Sequence, residues 1–260
     1  MIEPCSYDAL TVPSRARQDN RHRVLERLRA ELARLEGTAQ SEVAGVVPLG
    51  LPGLDGALPG GGLARGCLHE ICGAPDQAAA AGFAAALLGR LATEAPVVWI
   101  GPRHDLFAPG LAEIGLAPEN LIVVRARERE ARLWALEEVL RSSGVGAGLA
   151  EIGRLGLTES RRLQLAAESA GVTGFLLRAP GALATPCAAV TRWRIGPLGG
   201  AGPGANLGAP RWQVELVRAR GGRPGSRAVE WRKGGWHEIP GALALAAEPF
   251  DRPADPARTA

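Results

Sequence analysis

The stretch Leu68-His69-Glu70-Ile71-Cys72-Gly73-Ala74-Pro75-Asp76-Gln77, followed by four alanines at 78–81, constrains this chain more than any other. A short apolar segment runs into Gly-Ala-Pro-Asp and then directly into a helix-forming run. That is the outline of a strand, a phosphate loop and a helix, in which backbone N–H groups and the helix N-terminus cradle phosphates. The chemistry of such a loop is missing. With Gly73 as the first glycine of G-x-x-x-x-G-K-[ST], the closing Gly, Lys and Ser/Thr fall on Ala78, Ala79 and Ala80. A methyl group neither neutralises a β- or γ-phosphate nor ligates Mg²⁺. The only lysine in the chain, Lys233, lies in a different region. The stretch reads as a nucleotide-binding architecture without its nucleotide, so no cofactor is expected.

Composition sets the outer limits. A chain of 260 residues with 46% hydrophobic content supplies one sizeable domain with appendages, or two small ones, and argues against wholesale disorder. No apolar run approaches a membrane span, and Met1-Ile2-Glu3-Pro4 opens no signal peptide. Cys5, Cys67, Cys72 and Cys187 form no C-x-x-C pair, which argues against zinc and a disulfide framework and fits a reducing cytoplasm. The formal charge of +3 is mild, although all but one of the 30 basic residues are arginine. That bias reads first as the trace of a GC-rich coding sequence.

Residues 1–45 read as a polar leader, an amphipathic helix and a linker. From Ser14 to Glu36 the residues Val24, Leu25, Leu28, Leu32 and Leu35 recur at helical spacing, and Gly37 ends the run. The stripe Leu25, Leu28, Leu32, Leu35 steps 3-4-3, as in a coiled-coil seam, but spans under two heptads. It packs either on its own domain or on a neighbouring subunit or partner. Next come Val46 to Asp55 and Leu58 to Gly66, a turn-rich helix and a glycine loop before a strand over Cys67 to Cys72.

From there strands and helices alternate. A helix from Ala78 to Ala92 is followed by a strand at Pro96 to Gly101, a short helix near Gly110 to Gly115 and a strand at Leu121 to Val124. A helix at Glu128 to Arg141, a glycine-broken strand at Val145 to Ile152, a helix capped by Thr158 and ended by Gly171, and a strand at Gly174 to Arg178 complete the series. This alternation means a parallel sheet covered on both faces, an α/β fold. After Pro180 the segments Ala189 to Ile195, Arg211 to Arg218, Ala228 to Arg232 and Trp236 to Ile239 read as antiparallel additions to the sheet. Residues 196–210 have the composition of a mobile loop, and residues 241–260 that of a disordered tail.

The one chemical feature with bulk is this C-terminal region. Arg178, Arg192, Arg194, Arg211, Arg218, Arg220, Arg223, Arg227, Arg232 and Lys233 are interleaved with Trp193, Trp212, Trp231 and Trp236 and opposed by Glu215 and Glu230. Guanidinium groups meet phosphates in bidentate fashion, and indole faces stack on unpaired bases. The bland alternative makes the tryptophans core and the arginines a solvated rim. The loop Arg218 to Arg227, with four arginines and no acid, is the better candidate for single-stranded DNA or an acidic partner. His22, His69, His104 and His237 are isolated, and no nucleophile constellation is present.

By now the residues carry a family resemblance. Pro48-Leu49-Gly50-Leu51-Pro52-Gly53-Leu54-Asp55 with Gly61-Gly62-Leu63-Ala64-Arg65-Gly66 resembles the approach to the phosphate loop in RecA recombinases, and Glu70 to Pro75 stands where RecA has its strand and first loop glycine. More narrowly, Ala182 to Arg194, above all Cys187-Ala188-Ala189-Val190-Thr191-Arg192-Trp193-Arg194, and the Trp212-to-Trp231 hairpin resemble the ImuA family. The resemblance spans Val46 to Glu238 and implies a RecA-like domain over residues 46–240, with a basic β extension over 186–240. It also implies a non-catalytic role in SOS-induced translesion synthesis and mutagenesis. The implied partners are ImuB, an error-prone DNA polymerase III alpha subunit and RecA, with single-stranded DNA and self-association as further contacts. Two departures support a pseudo-ATPase. The stretch that should carry a water-activating carboxylate reads Gly101-Pro102-Arg103-His104, and the Mg²⁺-associated acid is replaced by a vestigial Glu151. The alternative is a division inhibitor resembling SulA that binds a cytoskeletal protein.

Overall fold

The protein is described from a computed structural model that covers residues 45–73, 77–93, 95–103, 105–199 and 208–240. The expected leucine-striped helix, with Leu25, Leu28, Leu32 and Leu35, and the expected C-terminal tail lie outside the described residues.

A two-stranded ribbon leads in, pairing β1 (Val46–Val47) with β2 (Leu63–Ala64) antiparallel. Between them sits a one-turn helix, α1 (Pro52–Asp55). Its turn is built by one side chain. The Asp55 carboxylate accepts the backbone N–H groups of Leu49, Gly50 and Leu51 at 2.7, 2.9 and 3.0 Å. A short acidic side chain that captures its own upstream backbone closes such a turn without help from the sheet. Leu49, Leu51 and Leu54 can therefore all point into the core.

The alternating series follows as β3 (Leu68–Gly73), α2 (Ala78–Leu91), β4 (Val97–Gly101), α3 (Ala108–Glu113), β5 (Leu121–Arg125), α4 (Arg129–Leu140), β6 (Ala147–Glu151), α5 (Leu157–Ala170) and β7 (Thr173–Arg178). Then come β8 (Thr191–Pro197), β9 (Arg211–Ala219), β10 (Gly225–Arg232) and β11 (Gly235–Glu238). One nine-stranded sheet runs β11-β10-β9-β8-β3-β7-β6-β4-β5. Strands β8, β3, β7, β6, β4 and β5 are parallel, and β9, β10 and β11 are added antiparallel. This is the expected α/β, RecA-like architecture. The order places β3 and its loop at the middle of the sheet, beside the crevice where the strand order reverses.

Two apolar layers sandwich the sheet. On one face α2 packs on Trp99, Phe175, Trp193, Trp212, Val214, Val229, Trp231 and Trp236. On the other, Leu133, Leu136, Leu140, Leu163 and Ala167 of α4 and α5 pack on Leu68, Val98, Ile100, Ala150 and Leu176. Gly148 does not break β6. A Cβ there would stand 2.6 Å from Val139 Cγ1, so the glycine lets α4 lie directly on the strand. The antiparallel strands bury one face only. In β9 the buried Trp212, Val214 and Leu216 alternate with half-buried Arg211, Gln213 and Glu215. Helix α5 starts differently from expectation. Gly156, not Thr158, holds the N-cap position, and its N–H donates to Glu159 Oε2 at 2.7 Å, while Gly171 ends the helix at φ +72° as expected. Among the described residues no helix is long and apolar enough to cross a membrane.

Candidate functional site

Gly73 ends β3 and Ala78 begins α2, so a phosphate loop would lie between them; residues 74–76 are outside the described set. Ala79 and Ala80, which stand where the loop lysine and hydroxyl belong, are 6% and 0% exposed and form part of the α2 core layer. Their methyl groups serve packing. Glu151 ends β6 across the crevice, and its Oε1 accepts the indole N–H of Trp99 at 2.9 Å. Gly101 makes that approach possible, since a Cβ there would lie 2.8 Å from the same oxygen. Arg132 is equally committed, donating from Nε to the Glu151 carbonyl and from Nη1 to the Ala126 carbonyl. Arg103 is paired with Asp105 at 2.6 Å, on the exposed rim. The crevice bounded by Gln77, Arg103, Arg132, Glu151 and Gly153 has a volume of about 210 Å³. That is below the roughly 300–1,000 Å³ of small-molecule sites. Among the described residues, the loop positions of the lysine and the hydroxyl are held by Ala79 and Ala80.

The structure divides the basic region. Arg192 is withdrawn from any nucleic-acid role. It is 8% exposed, and its Nε donates to the buried Glu70 carboxylate while Nη2 donates to the carbonyls of Ala182 and Thr185, each at 3.0 Å. Arg194 pairs with Glu215 at 2.9 Å, Arg211 with Glu230 at 3.0 Å, and Arg232 with Glu230 at 3.6 Å. The open face of β8–β10 is thus a lattice of ion pairs with little net charge to offer a phosphate. Lys233 sits at the β10–β11 turn with φ +51°. The four tryptophans of this region, Trp193, Trp212, Trp231 and Trp236, are buried and present no face for base stacking.

The expected ten-residue arginine loop is shorter than the sequence suggests, because β9 extends to Ala219 and β10 begins at Gly225. Its tip docks on the α1 segment. The N–H of Arg223 donates to the Ala57 carbonyl at 2.9 Å, and a Cβ on Gly222 would meet that carbonyl oxygen at 2.6 Å. Arg220 turns inward, with Nη2 reaching the Ala188 carbonyl at 3.3 Å. Arg227 lies against Gly53, 3.6 Å from Glu238, an acid that the linear loop does not contain. Arg218 and Arg223 are exposed at the two sides of the tip, Arg223 Nη2 donating to the Gly56 carbonyl at 3.5 Å, and Arg227 is exposed as well. With Arg220 turned inward and the exposed Arg227 facing Glu238, two arginines rather than four are left exposed and unopposed by an acid, so salt-dependent DNA binding through the tip should have a log–log slope near −1.4, at about −0.7 per phosphate on a single strand. Fluorescence anisotropy of an oligonucleotide titrated at several salt concentrations checks this, and Arg218→Ala with Arg223→Ala should flatten the slope.

Sequence reasoning missed a buried cluster under β3. Glu70 is fully buried and accepts from Arg178 Nη1 as well as from Arg192 Nε. Arg178 is 2% exposed and completes its donors on the Gly153 carbonyl at 3.0 Å. The signal was available, since an acid inside a strand covered on both faces demands a cationic partner. Beside it Cys72 and Cys187 are buried free thiols. Burial, reinforced by the Glu70 carboxylate, pushes the Cys72 thiol up to about 12 and raises that of Cys187, which makes both inert as nucleophiles. On the other side of β3, Trp193 Nε1 donates to Thr191 Oγ1 at 2.7 Å, and His69 Nδ1 lies 2.8 Å from the same hydroxyl. The hydroxyl has one proton to give, so it donates to Nδ1, and His69 Nε2–H donates to the Ala64 carbonyl at 2.8 Å. The imidazole is thereby a neutral structural strut.

No family model matches the chain. Among curated proteins it is similar to Protein ImuA of Caulobacter vibrioides, in strain NA1000 / CB15N and in strain ATCC 19089 / CIP 103742 / CB 15. It is 42% identical to each over 207 residues, covering 73% of this chain and 85% of the relative. With that identity and coverage joined to the RecA-like sheet, the chain belongs to the ImuA family.

Proposed function

We propose that this chain is a non-catalytic, RecA-like accessory protein of SOS-induced translesion DNA synthesis. In this reading it is a pseudo-ATPase that joins ImuB to an error-prone DNA polymerase III alpha subunit and to RecA or single-stranded DNA. One observation carries the reading. The two residues that would clamp phosphate and metal are alanines packed into the core at the start of α2, while Glu151 is spent on the Trp99 indole. A fold kept without the chemistry of its loop is a scaffold for surfaces. The ImuA relationship supports the choice of partners, and a cytoplasmic location accords with free buried thiols.

Titration calorimetry with MgATP should show no saturable binding up to millimolar nucleotide. A phosphate-release assay should give the same rate as a blank and be unchanged by Glu151→Gln. Mg²⁺-dependent turnover lost in that variant would overturn the pseudo-ATPase. Co-purification of this chain with ImuB, unaffected by nucleotide, is the companion result.

A further inference from the structure

We propose that the β5 edge of the sheet is a self-association surface, on which a second copy of this chain adds its own β5 antiparallel about a two-fold axis at Val123. Among the described residues, strand β5 ends the sheet and pairs only with β4. Its sequence, Leu121-Ile122-Val123-Val124-Arg125, has no proline, no internal charge and no bulge, the devices by which edge strands avoid pairing. Ile122 is 49% exposed and Val123 38% exposed, one on each face of the strand. The opposite edge is different. There β11 has four residues, and its last, Glu238, accepts the Gly53 N–H at 3.0 Å, which ties that end to the α1 segment.

The backbone selects the register. The Ala126 N–H donates across to Gly101 at the end of β4, at 3.0 Å. Alternate residues of a strand direct their N–H and C=O to the same side, so Ile122 and Val124 face β4 while Leu121, Val123 and Arg125 direct theirs outward. An antiparallel two-fold through Val123 makes Val123 with Val123 of the partner subunit, and Leu121 with Arg125 of the partner subunit, hydrogen-bonded pairs. All three outward residues are then used. Ile122 lies opposite Val124 of the partner subunit, an apolar cross-strand pair that occurs twice. Just beyond the strand ends, the exposed Glu119 of one copy comes beside the exposed Arg127 of the other, again twice. The charges at the two ends of this segment are opposite in sign, so self-pairing in this sense is complementary and closes as a dimer.

Sedimentation velocity of the full chain over a concentration series should show a monomer–dimer equilibrium. Val123→Pro removes an outward N–H and leaves the β4 bonds in place, and proline is tolerated at such positions. It should weaken dimerisation at least about tenfold, with far-UV circular dichroism unchanged. Glu119→Arg should weaken it as well, and the double variant Glu119→Arg, Arg127→Glu should restore it. Val123→Cys keeps the proposal open to test even if the proline variant misfolds. Hydrogen-bonded antiparallel pairs have Cα atoms about 5.5 Å apart, within disulfide reach, so mild oxidation should cross-link this variant and not Ile122→Cys. A wild type that stays monomeric at high concentration, or a dimer insensitive to Val123→Pro and not captured through Val123→Cys, would overturn the proposal.

Discussion

Replacing Glu70 with alanine is expected to destabilise the fold by about 3–5 kcal/mol, since removing one partner of a buried ion pair leaves an uncompensated charge. Here two guanidinium groups are stranded, those of Arg178 and Arg192, at 2% and 8% exposure. For a domain of this size, each kcal/mol lowers the melting midpoint by about 2–4 °C, so a fall of roughly 6–20 °C should be seen in a thermal scan. The triple variant Glu70→Leu, Arg178→Met, Arg192→Met should recover part of the loss. Full recovery is not expected, because the carbonyls of Gly153, Ala182 and Thr185 lose their donors along with the charges. The cluster also fastens the segment between β7 and β8 to β3. Limited proteolysis within residues 180–190 should accelerate in the alanine variant and slow again in the triple one. A Glu70→Ala protein within about 1 kcal/mol of wild type would show that the cluster is incidental to stability.

Acid should weaken the fold through a different residue. Burial lowers the His69 pKa from 6.5 to about 4, while in the unfolded chain the imidazole titrates at its ordinary value. Between those two values the unfolded state binds the extra proton and the native state does not. Stability therefore rises with pH across the window and is lost as pH falls through it. The full effect of a shift from 6.5 to 4 is about 3 kcal/mol, at 1.36 kcal/mol per unit. Urea denaturation at pH 7 and pH 4.5 should show most of that difference. His69→Gln keeps polar atoms near Thr191 and Ala64 without a proton equilibrium, so its two curves should lie closer together, although the variant is weaker than wild type at pH 7. Equal pH dependence in the two proteins would assign the acid sensitivity to other groups.

The segment from Gly73 to Ala80 shows how far local patterning reaches. The alternation of apolar runs with helical runs placed β3, α2, β4, β5, α4, β6 and β7 within a few residues of where they lie, because a buried parallel strand and an amphipathic helix each write their period into the chain. The identities of Ala79 and Ala80 were equally plain, and no tertiary contact could restore a charge or hydroxyl there. Helix starts were less legible. Thr158 is a good capping residue by type, yet Gly156 holds the position because Glu159 reaches back to its N–H and is itself held by Arg129 at 2.6 Å.

What only the tertiary structure decided is which charges are free. Along the chain, Arg178 to Lys233 is a run of cations with two acids, which reads as a surface for phosphates. In space, Glu70 arrives from a strand more than a hundred residues upstream to take Arg178 and Arg192, and Glu238 comes from the neighbouring β11 to meet Arg227 on β10. Glu215 and Glu230 face Arg194 and Arg211 across neighbouring strands. Strand register fixes these partners, and register is a property of the assembled sheet. The edge at β5 belongs to the same category. Leu-Ile-Val-Val reads as a strand of a sheet covered on both faces, and only the strand order shows that, among the described residues, one edge of it pairs with no strand. Composition and period determined the α/β layers and the loss of the loop chemistry, since both are written in single residues and short spacings. The pairing of charges and the open edge were decided by long-range contacts, which a linear pattern does not carry.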